Sequence, residues 1–321
     1  MKTENANSTL VVAIGGNALV RENQRGTFGE QLANVKESTD TLASLARQGY
    51  RLIITHGNGP QVGNLYLRSE CSQESVTAMP LDVCGAETQG QIGYIIETAL
   101  TNTLKRMQTD VPVATVITRV EVHSEDPDFS ASSKPVGSFY TREALERKLK
   151  EKPFPYVEDS GRGFRRVVAS PEPVAILEER VIRGLSEAGV VVIAGGGGGI
   201  PVARTADGQY LGVEAVVDKD KTTALLAEAV NADLLLFLTG VERLAVNFNK
   251  PDMRLIDSMT VSQAEEYLEE GQFPPGSMGP KVTAAIRFVK KIGKKAVITD
   301  LGHVLEALRG ESGTYILPDA V

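Results

Sequence analysis

The chain has 321 residues, 42% of them apolar and 23% charged, which is a globular balance and neither a disordered nor a fibrous one. Its 34 Lys and Arg against 41 Asp and Glu leave a net charge of −7, which argues against bulk binding to nucleic acid or to anionic lipid. Two cysteines and three histidines in no ligand-like spacing argue against a disulfide framework and a zinc site, and no apolar run reaches the roughly 18 residues of a membrane span.

The first nine residues lack an apolar leader core, so a soluble, cytoplasmic protein is expected. Residues 10–14 form an apolar run that ends in Gly15-Gly16-Asn17. A helical pattern follows over 31–47, with Leu32, Val35, Leu42, Leu45 and Ala46 on one face. Residues 51–55 read as the next strand, followed by His56-Gly57-Asn58-Gly59-Pro60. A helix is predicted over 87–106 and a strand over 113–117. Helix over 173–188, strand over 190–194 and Gly195 through Gly199 come later. Beyond Asp218-Lys219-Asp220-Lys221, the pattern predicts helix 221–229, strand 234–238, helices 262–270 and 280–292, and strand 296–299.

Most of the strand runs are apolar throughout, as in strands covered on both faces. The alternation predicts a three-layer α/β/α sandwich with a mainly parallel central sheet, spanning 1–321 as a single domain. Residues 119–167 break the rhythm with charges and prolines over a length too great for a loop. Phe129, Phe139, Tyr140, Phe154, Tyr156 and Phe164 argue against disorder there. We therefore expect a small protruding subdomain, a lid, inserted in the sheet domain.

Three glycine loops follow three predicted buried strands, and right-handed crossovers put such loops on one sheet edge. Glycine lets a ligand approach the main chain, and a following helix offers free N–H groups to an anion. Each loop could also be a plain tight turn; three on one edge favour an anion site. The Rossmann fingerprint, the P-loop, HExxH, GxSxG and the protein-kinase motifs are all absent. Asp218-Lys219-Asp220 supplies both a cation for phosphoryl oxygens and a carboxylate to orient it, and one of its carboxylates could cap the helix. Pro280 suits the first turn of a helix, which would project Lys281 from a helix N-terminus, though a solvated surface lysine is the alternative. Cys84 reads as a small core residue and His56 as a strand-end residue, structural or ligand-facing.

Several segments recur together in order and spacing: Ala13-Ile14-Gly15-Gly16-Asn17-Ala18-Leu19, His56-Gly57-Asn58-Gly59-Pro60-Gln61-Val62-Gly63, Pro80-Leu81-Asp82-Val83-Cys84-Gly85-Ala86 and Thr88-Gln89-Gly90-Gln91-Ile92-Gly93-Tyr94. Lys134-Pro135-Val136-Gly137, Gly161-Arg162-Gly163-Phe164, Gly212 through Asp220 and Pro275-Gly276-Ser277-Met278-Gly279-Pro280-Lys281 complete the set. Together they resemble the amino acid kinase superfamily and, within it, the carbamate kinases. Many superfamily members carry a lysine in the first strand where this chain has Ala13, and in carbamate kinases a lysine of the protruding subdomain, matched by Lys134, looks like its replacement.

The resemblance implies reversible phosphoryl transfer between ATP and carbamate, giving carbamoyl phosphate and ADP, run toward ATP in the catabolism of arginine or related nitrogen compounds. It assigns catalysis to Lys134, Lys219, Asp220 and Lys281. It assigns the carbamate end to Gly15, Gly16, Asn17, Gly57, Asn58 and Gly59. Gly196, Gly197, Gly198, Lys219, Asp220, Phe248, Met278 and Lys281 would hold ATP, with Phe248 on the adenine side. Mg2+ would arrive with ATP or ADP and no separate metal site is implied; a homodimer is, with neither nucleic acid nor membrane as partner. Two alternatives remain: a superfamily enzyme with another acyl acceptor, and a non-catalytic paralogue that binds carbamoyl phosphate or nucleotide.

Overall fold

The structure is a computed structural model and describes residues 7–21, 24–72, 74–151, 155–158 and 163–319. Its strands, in chain order, are β1 (Thr9–Ile14), β2 (Arg51–His56), β3 (Val113–Thr115), β4 (Arg119–Val122), β5 (Lys134–Tyr140), β6 (Tyr156–Glu158), β7 (Phe164–Val168), β8 (Pro173–Ile176) and β9 (Val191–Ile193). They continue as β10 (Ile200–Arg204), β11 (Tyr210–Gly212), β12 (Leu234–Thr239), β13 (Leu244–Val246), β14 (Arg254–Ile256), β15 (Ser258–Thr260), β16 (Ala296–Asp300) and β17 (Thr314–Leu317). The helices are α1 (Phe28–Arg47), α2 (Gly59–Cys71), α3 (Leu81–Arg106), α4 (Arg142–Glu151), α5 (Glu179–Glu187), α6 (Lys219–Ala229), α7 (Val261–Glu269), α8 (Met278–Ile292) and α9 (Val304–Arg309).

The central sheet has eight strands in the order β15-β17-β16-β12-β1-β2-β9-β3. All its pairs are parallel except β16 with β17. Successive side chains of a strand point to opposite faces, and β1 divides accordingly. Val11 and Ala13 join Ile53, Leu235 and Phe237 in a core with residues of α6, α7 and α8. Leu10, Val12 and Ile14 face the other way, against residues of α1, α3 and α9. Both faces of the sheet are thus buried, and the expected three-layer α/β/α sandwich is what forms. All six predicted strand runs lie in this sheet. None of the described helices is long and apolar enough to cross a membrane.

One predicted helix is corrected. Over 173–188 the chain first forms β8, antiparallel to β4, and only then α5. Val174, Ala175 and Ile176 form an edge strand of a second sheet, ordered β11-β10-β4-β8. The helix begins after it, where Ile182 fills the core and Ser186 is buried beside it.

The inserted segment does not fold as one sheet. Its first strand, β4, is parallel to β10 in the second sheet, while β5, β7 and β6 form a separate three-stranded antiparallel sheet beside α4. That small sheet is seated on the main body. Val136 and Val168 pack with Val62 of α2, Leu81 and Cys84 of α3, and Val216. Fully burying a valine is worth about 1.5–3 kcal/mol, so this contact favours the seated position by a few kcal/mol. The seat also requires glycine: a Cβ on Gly63 would lie 1.9 Å from the Gly137 Cα, backbone against backbone. Lys152, Pro153, Phe154, Gly161 and Arg162 of the insertion lie outside the described residues.

Candidate active site

The three glycine loops follow β1, β2 and β9, which are neighbours or near neighbours in one parallel sheet, so all three open on its C-terminal edge. Gly57 approaches Gly16 closely, with 3.7 Å between a built Cβ and the Gly16 backbone. The third loop is the most constrained. Gly195, Gly197, Gly198 and Gly199 all have positive φ, and a Cβ on Gly197 would lie 2.1 Å from the Asn58 amide nitrogen. A Cβ on Gly196 would lie 2.3 Å from His56 Nε2. The second and third loops therefore interlock through His56 and Asn58.

His56 is buried and its Nδ1 lies 3.0 Å from the Gly57 carbonyl. Burial, aided by the charge of Lys219, lowers its pKa to about 4 despite that hydrogen bond. It is therefore neutral near pH 7, with the proton on Nδ1 and a bare Nε2 against Gly196. Asn58 is also buried and donates to Thr88 Oγ1 at 2.8 Å, so its side chain braces the loop from below. Gly59 is the first residue of α2, where Pro60 suits the first turn. Gly15, Gly16 and Asn17 lie at the end of β1, with Gly16 and Asn17 in a 3-10 turn.

The charged groups come from α6, α8 and the small sheet. Asp218 caps α6: its Oδ1 accepts from the backbone N–H of Asp220 at 2.9 Å and of Lys221 at 3.4 Å. Its Oδ2 accepts from Lys134 Nζ, reaching in from β5. Burial alone would raise the Asp218 carboxyl, but Lys134 and those N–H groups outweigh it and hold it below the usual range. Asp220 sits between two lysines. Lys219 Nζ lies 3.0 Å from its Oδ1 and Lys281 Nζ 3.2 Å from its Oδ2. Lys219 also donates to the Ile14 carbonyl at 3.4 Å, at the end of β1. Desolvation and the nearby Lys281 push the Lys219 ammonium down, with Asp220 opposing. Thr222 Oγ1 donates to the Gly198 carbonyl at 2.7 Å, tying α6 to the third loop.

The structure thus brings together the first-strand glycines, the 56–58 and 195–199 loops, Asp218, Lys219, Asp220, Lys281 and Lys134. Met278 opens α8, three residues before Lys281. Phe248 is exposed in the turn between β13 and β14, flanked by Asn247 and Asn249 with positive φ. Lys221 points elsewhere, to Glu172. Sequence reasoning placed a carboxylate at the α6 cap but missed that Asp218 holds Lys134; the two are 84 residues apart. It also left Gln89 and Thr118 without a role.

A phosphate-handling α/β protein is the class that this edge defines: glycine loops at the strand ends, and cations oriented by the carboxylates at the start of α6. The amino acid kinase family model matches residues 8–300. A carbamate kinase from Thermococcus kodakarensis is 47% identical over 96% of this chain and 98% of its own. A carbamate kinase-like protein from Escherichia coli is 44% identical over 96% and 98%. The solved carbamate kinase from Giardia lamblia bound to AMP-PNP superposes with a TM-score of 0.90, at 38% identity, over 99% of this chain and 100% of that one. The chain belongs to the amino acid kinase family, in its carbamate kinase branch.

Proposed function

We propose that the chain catalyses reversible phosphoryl transfer between ATP and carbamate, giving carbamoyl phosphate and ADP. The observation that carries the reading is the Asp220 carboxylate bracketed by Lys219 and Lys281 at the mouths of three glycine loops, with Lys134 one residue pair away on Asp218. In phosphoryl transfer the protein supplies position and positive charge, and the carbamate oxygen attacks without a protein nucleophile. Lys219 and Lys281, fixed by Asp220, stabilise charge on the transferred group. Lys134 exchanges Asp218 for a phosphoryl oxygen once the substrate is in place. The small sheet β5-β7-β6, within the inserted residues 119–167, acts as the lid that delivers it. Gly196 to Gly198 present backbone to the nucleotide phosphates, and the Gly15–Gly16 and Gly57–Gly59 loops hold the carbamate end.

Among the described residues no three His, Cys, Asp or Glu side chains converge as a metal cage. That fits Mg2+, which keeps its waters and binds largely through substrate phosphates; Asp218 and Asp220 are the carboxylates nearest to it in this reading. Bound there, Mg2+ would neutralise phosphate charge. A cytoplasmic homodimer working toward ATP in nitrogen-compound catabolism belongs to the same proposal. The test is ATP formation from carbamoyl phosphate and MgADP in a coupled hexokinase assay, with acetyl phosphate for comparison. Rapid, Mg2+-dependent ATP formation that prefers carbamoyl phosphate is expected. No ATP above the enzyme-free rate, from folded protein that binds ADP, would overturn the reading.

A further inference from the structure

The Thr88-Gln89-Gly90-Gln91 segment of α3 carries a side chain that the reaction above does not use. Gln89 is 2% exposed, and all of its amide is engaged with backbone. Its Nε2 donates to the Thr118 carbonyl and to the Gly196 carbonyl, each at 3.0 Å, and its Oε1 accepts from the Thr118 N–H at 2.8 Å. Two carbonyls and one N–H admit only one orientation of the amide. Glutamate has the same shape, and one of its oxygens would still accept from the Thr118 N–H, but the other would face two carbonyl oxygens.

The partners of Gln89 are two structural junctions. Gly196 is in the loop that interlocks with His56 and Asn58. Thr118 is buried and directly precedes β4, the strand through which the chain enters the inserted segment. Thr118 in turn holds the loop from both sides: its Oγ1 accepts from the Gly195 N–H at 2.9 Å and its carbonyl from the Ile200 N–H at 2.9 Å. β4 then runs parallel to β10, which leaves the loop. The segment's far end is tied in as well, since the Val216 N–H donates to the Ala169 carbonyl at 2.9 Å, two residues before Asp218.

We propose that Gln89 is a positioning residue that holds the 195–199 loop in its phosphate-receiving shape and clamps that loop to the root of the lid. Glycines with positive φ have little conformational preference of their own, so an external grip must choose their conformation. Gln89 provides it at Gly196 and, through Thr118, at Gly195 and Ile200.

This rests on the reading that the loop receives nucleotide phosphates, so the experiment separates the two. ADP affinity is measured by calorimetry for the parent, Gln89→Met, Gln89→Glu, Gly197→Ala and Leu100→Ala. Leu100 is buried on the same helix and serves as a stability control. Gln89→Met is expected to weaken ADP binding about tenfold or more, and Leu100→Ala, at a comparable loss of Tm, less than about threefold. Gln89→Glu carries a buried carboxyl whose pKa is raised, and protonation returns one donor. Its ADP affinity relative to parent is expected to recover at least about threefold from about pH 8 to about pH 6. ADP binding in Gln89→Met no weaker than in Leu100→Ala, while Gly197→Ala binds poorly, overturns the clamp alone. Unchanged binding in Gly197→Ala overturns the reading of the loop and the clamp with it. If Gln89→Met does not fold, a flat pH response in Gln89→Glu overturns the proposal.

Discussion

Replacing Lys134, the first residue of β5, by Met removes the ammonium and keeps an unbranched apolar stem. Two electrostatic quantities set the cost. At about 4 Å and an effective dielectric near 20, a unit charge on the phosphoryl group attracts the lysine by about 4 kcal/mol. The lysine must first leave Asp218. That pair is partly solvated, with the lysine side chain 33% and the aspartate 16% exposed, so solvent screening holds its worth to about 1 kcal/mol. The difference of about 3 kcal/mol corresponds to roughly a hundredfold in kcat/KM. ADP affinity is expected to change by less than about threefold, because the proposed contact is with the moving group and not with the nucleotide. The companion variant Asp218→Asn keeps a side-chain oxygen to cap α6 while releasing Lys134. Its kcat is expected to fall less than that of Lys134→Met, because the lysine itself is retained. Steady-state ATP formation from carbamoyl phosphate and ADP calorimetry measure both. A Lys134→Met enzyme that turns over within about threefold of parent would refute the charge argument and remove Lys134 from catalysis.

Asp220→Asn is expected to lower kcat at least about tenfold; with the opposing charge gone, Lys219 is pushed down further, so the alkaline limb of its pH profile moves to lower pH, and an unmoved limb would refute the coupling. Gly63→Ala puts a methyl 1.9 Å from the Gly137 backbone and is expected to unseat the small sheet, lowering kcat at least about tenfold with ADP affinity little changed and faster limited proteolysis within 134–168. His56 is depressed to about 4 in the fold from 6.5 unfolded, so its neutral form contributes stability that is fully present above about pH 6.5 and is lost as pH falls toward 4. Urea unfolding at about pH 7.5 and at about pH 5 should show a loss of about 2 kcal/mol in the parent that His56→Gln does not share.

How much of this could be read from sequence depended on how local the signal was. The runs at 10–14, 51–55, 113–117, 190–194, 234–238 and 296–299 are apolar because both sheet faces are covered, and each is a strand of the central sheet. β15 and β17 escaped notice because they are only three and four residues long, β15 at the sheet edge and β17 beside it. α2 went unpredicted because its start is the glycine loop itself; Pro60 was the available cue. α5 was run together with β8 because Val174, Ala175 and Ile176 fit either periodicity over so short a stretch. At the site, Asp218 as helix cap follows from its place before a helical run, and the structure bears that out. Its hold on Lys134 and the reach of Gln89 to Thr118 and Gly196 join residues 84, 29 and 107 positions apart, and no local pattern encodes such contacts.

The two edges of the sheet use their cations differently, and the difference explains how an acidic protein can receive polyanions. At the N-terminal edge a polar cleft of about 390 Å³ is lined by Arg51, Arg183, Asp233 and Lys294. Its cations are committed: Arg183 donates to the Ala229 carbonyl at the end of α6, and Lys294 to Asp233 at 2.8 Å and to the Asn231 carbonyl at 3.3 Å. Basic side chains at a helix C-terminus complement its dipole. At the C-terminal edge, among the described residues, Lys134, Lys219 and Lys281 form ion pairs with two carboxylates, Asp218 and Asp220, which leaves one positive charge in excess in this cluster. Lys219 and Lys281 are only 12% and 15% exposed, so water does little to solvate that charge. A buried, incompletely paired cation is costly, and in the proposed reading a phosphoryl group would supply the missing anion. On the proposed function, the excess positive charge at this edge gives the net charge of −7 a local exception where a phosphate would bind.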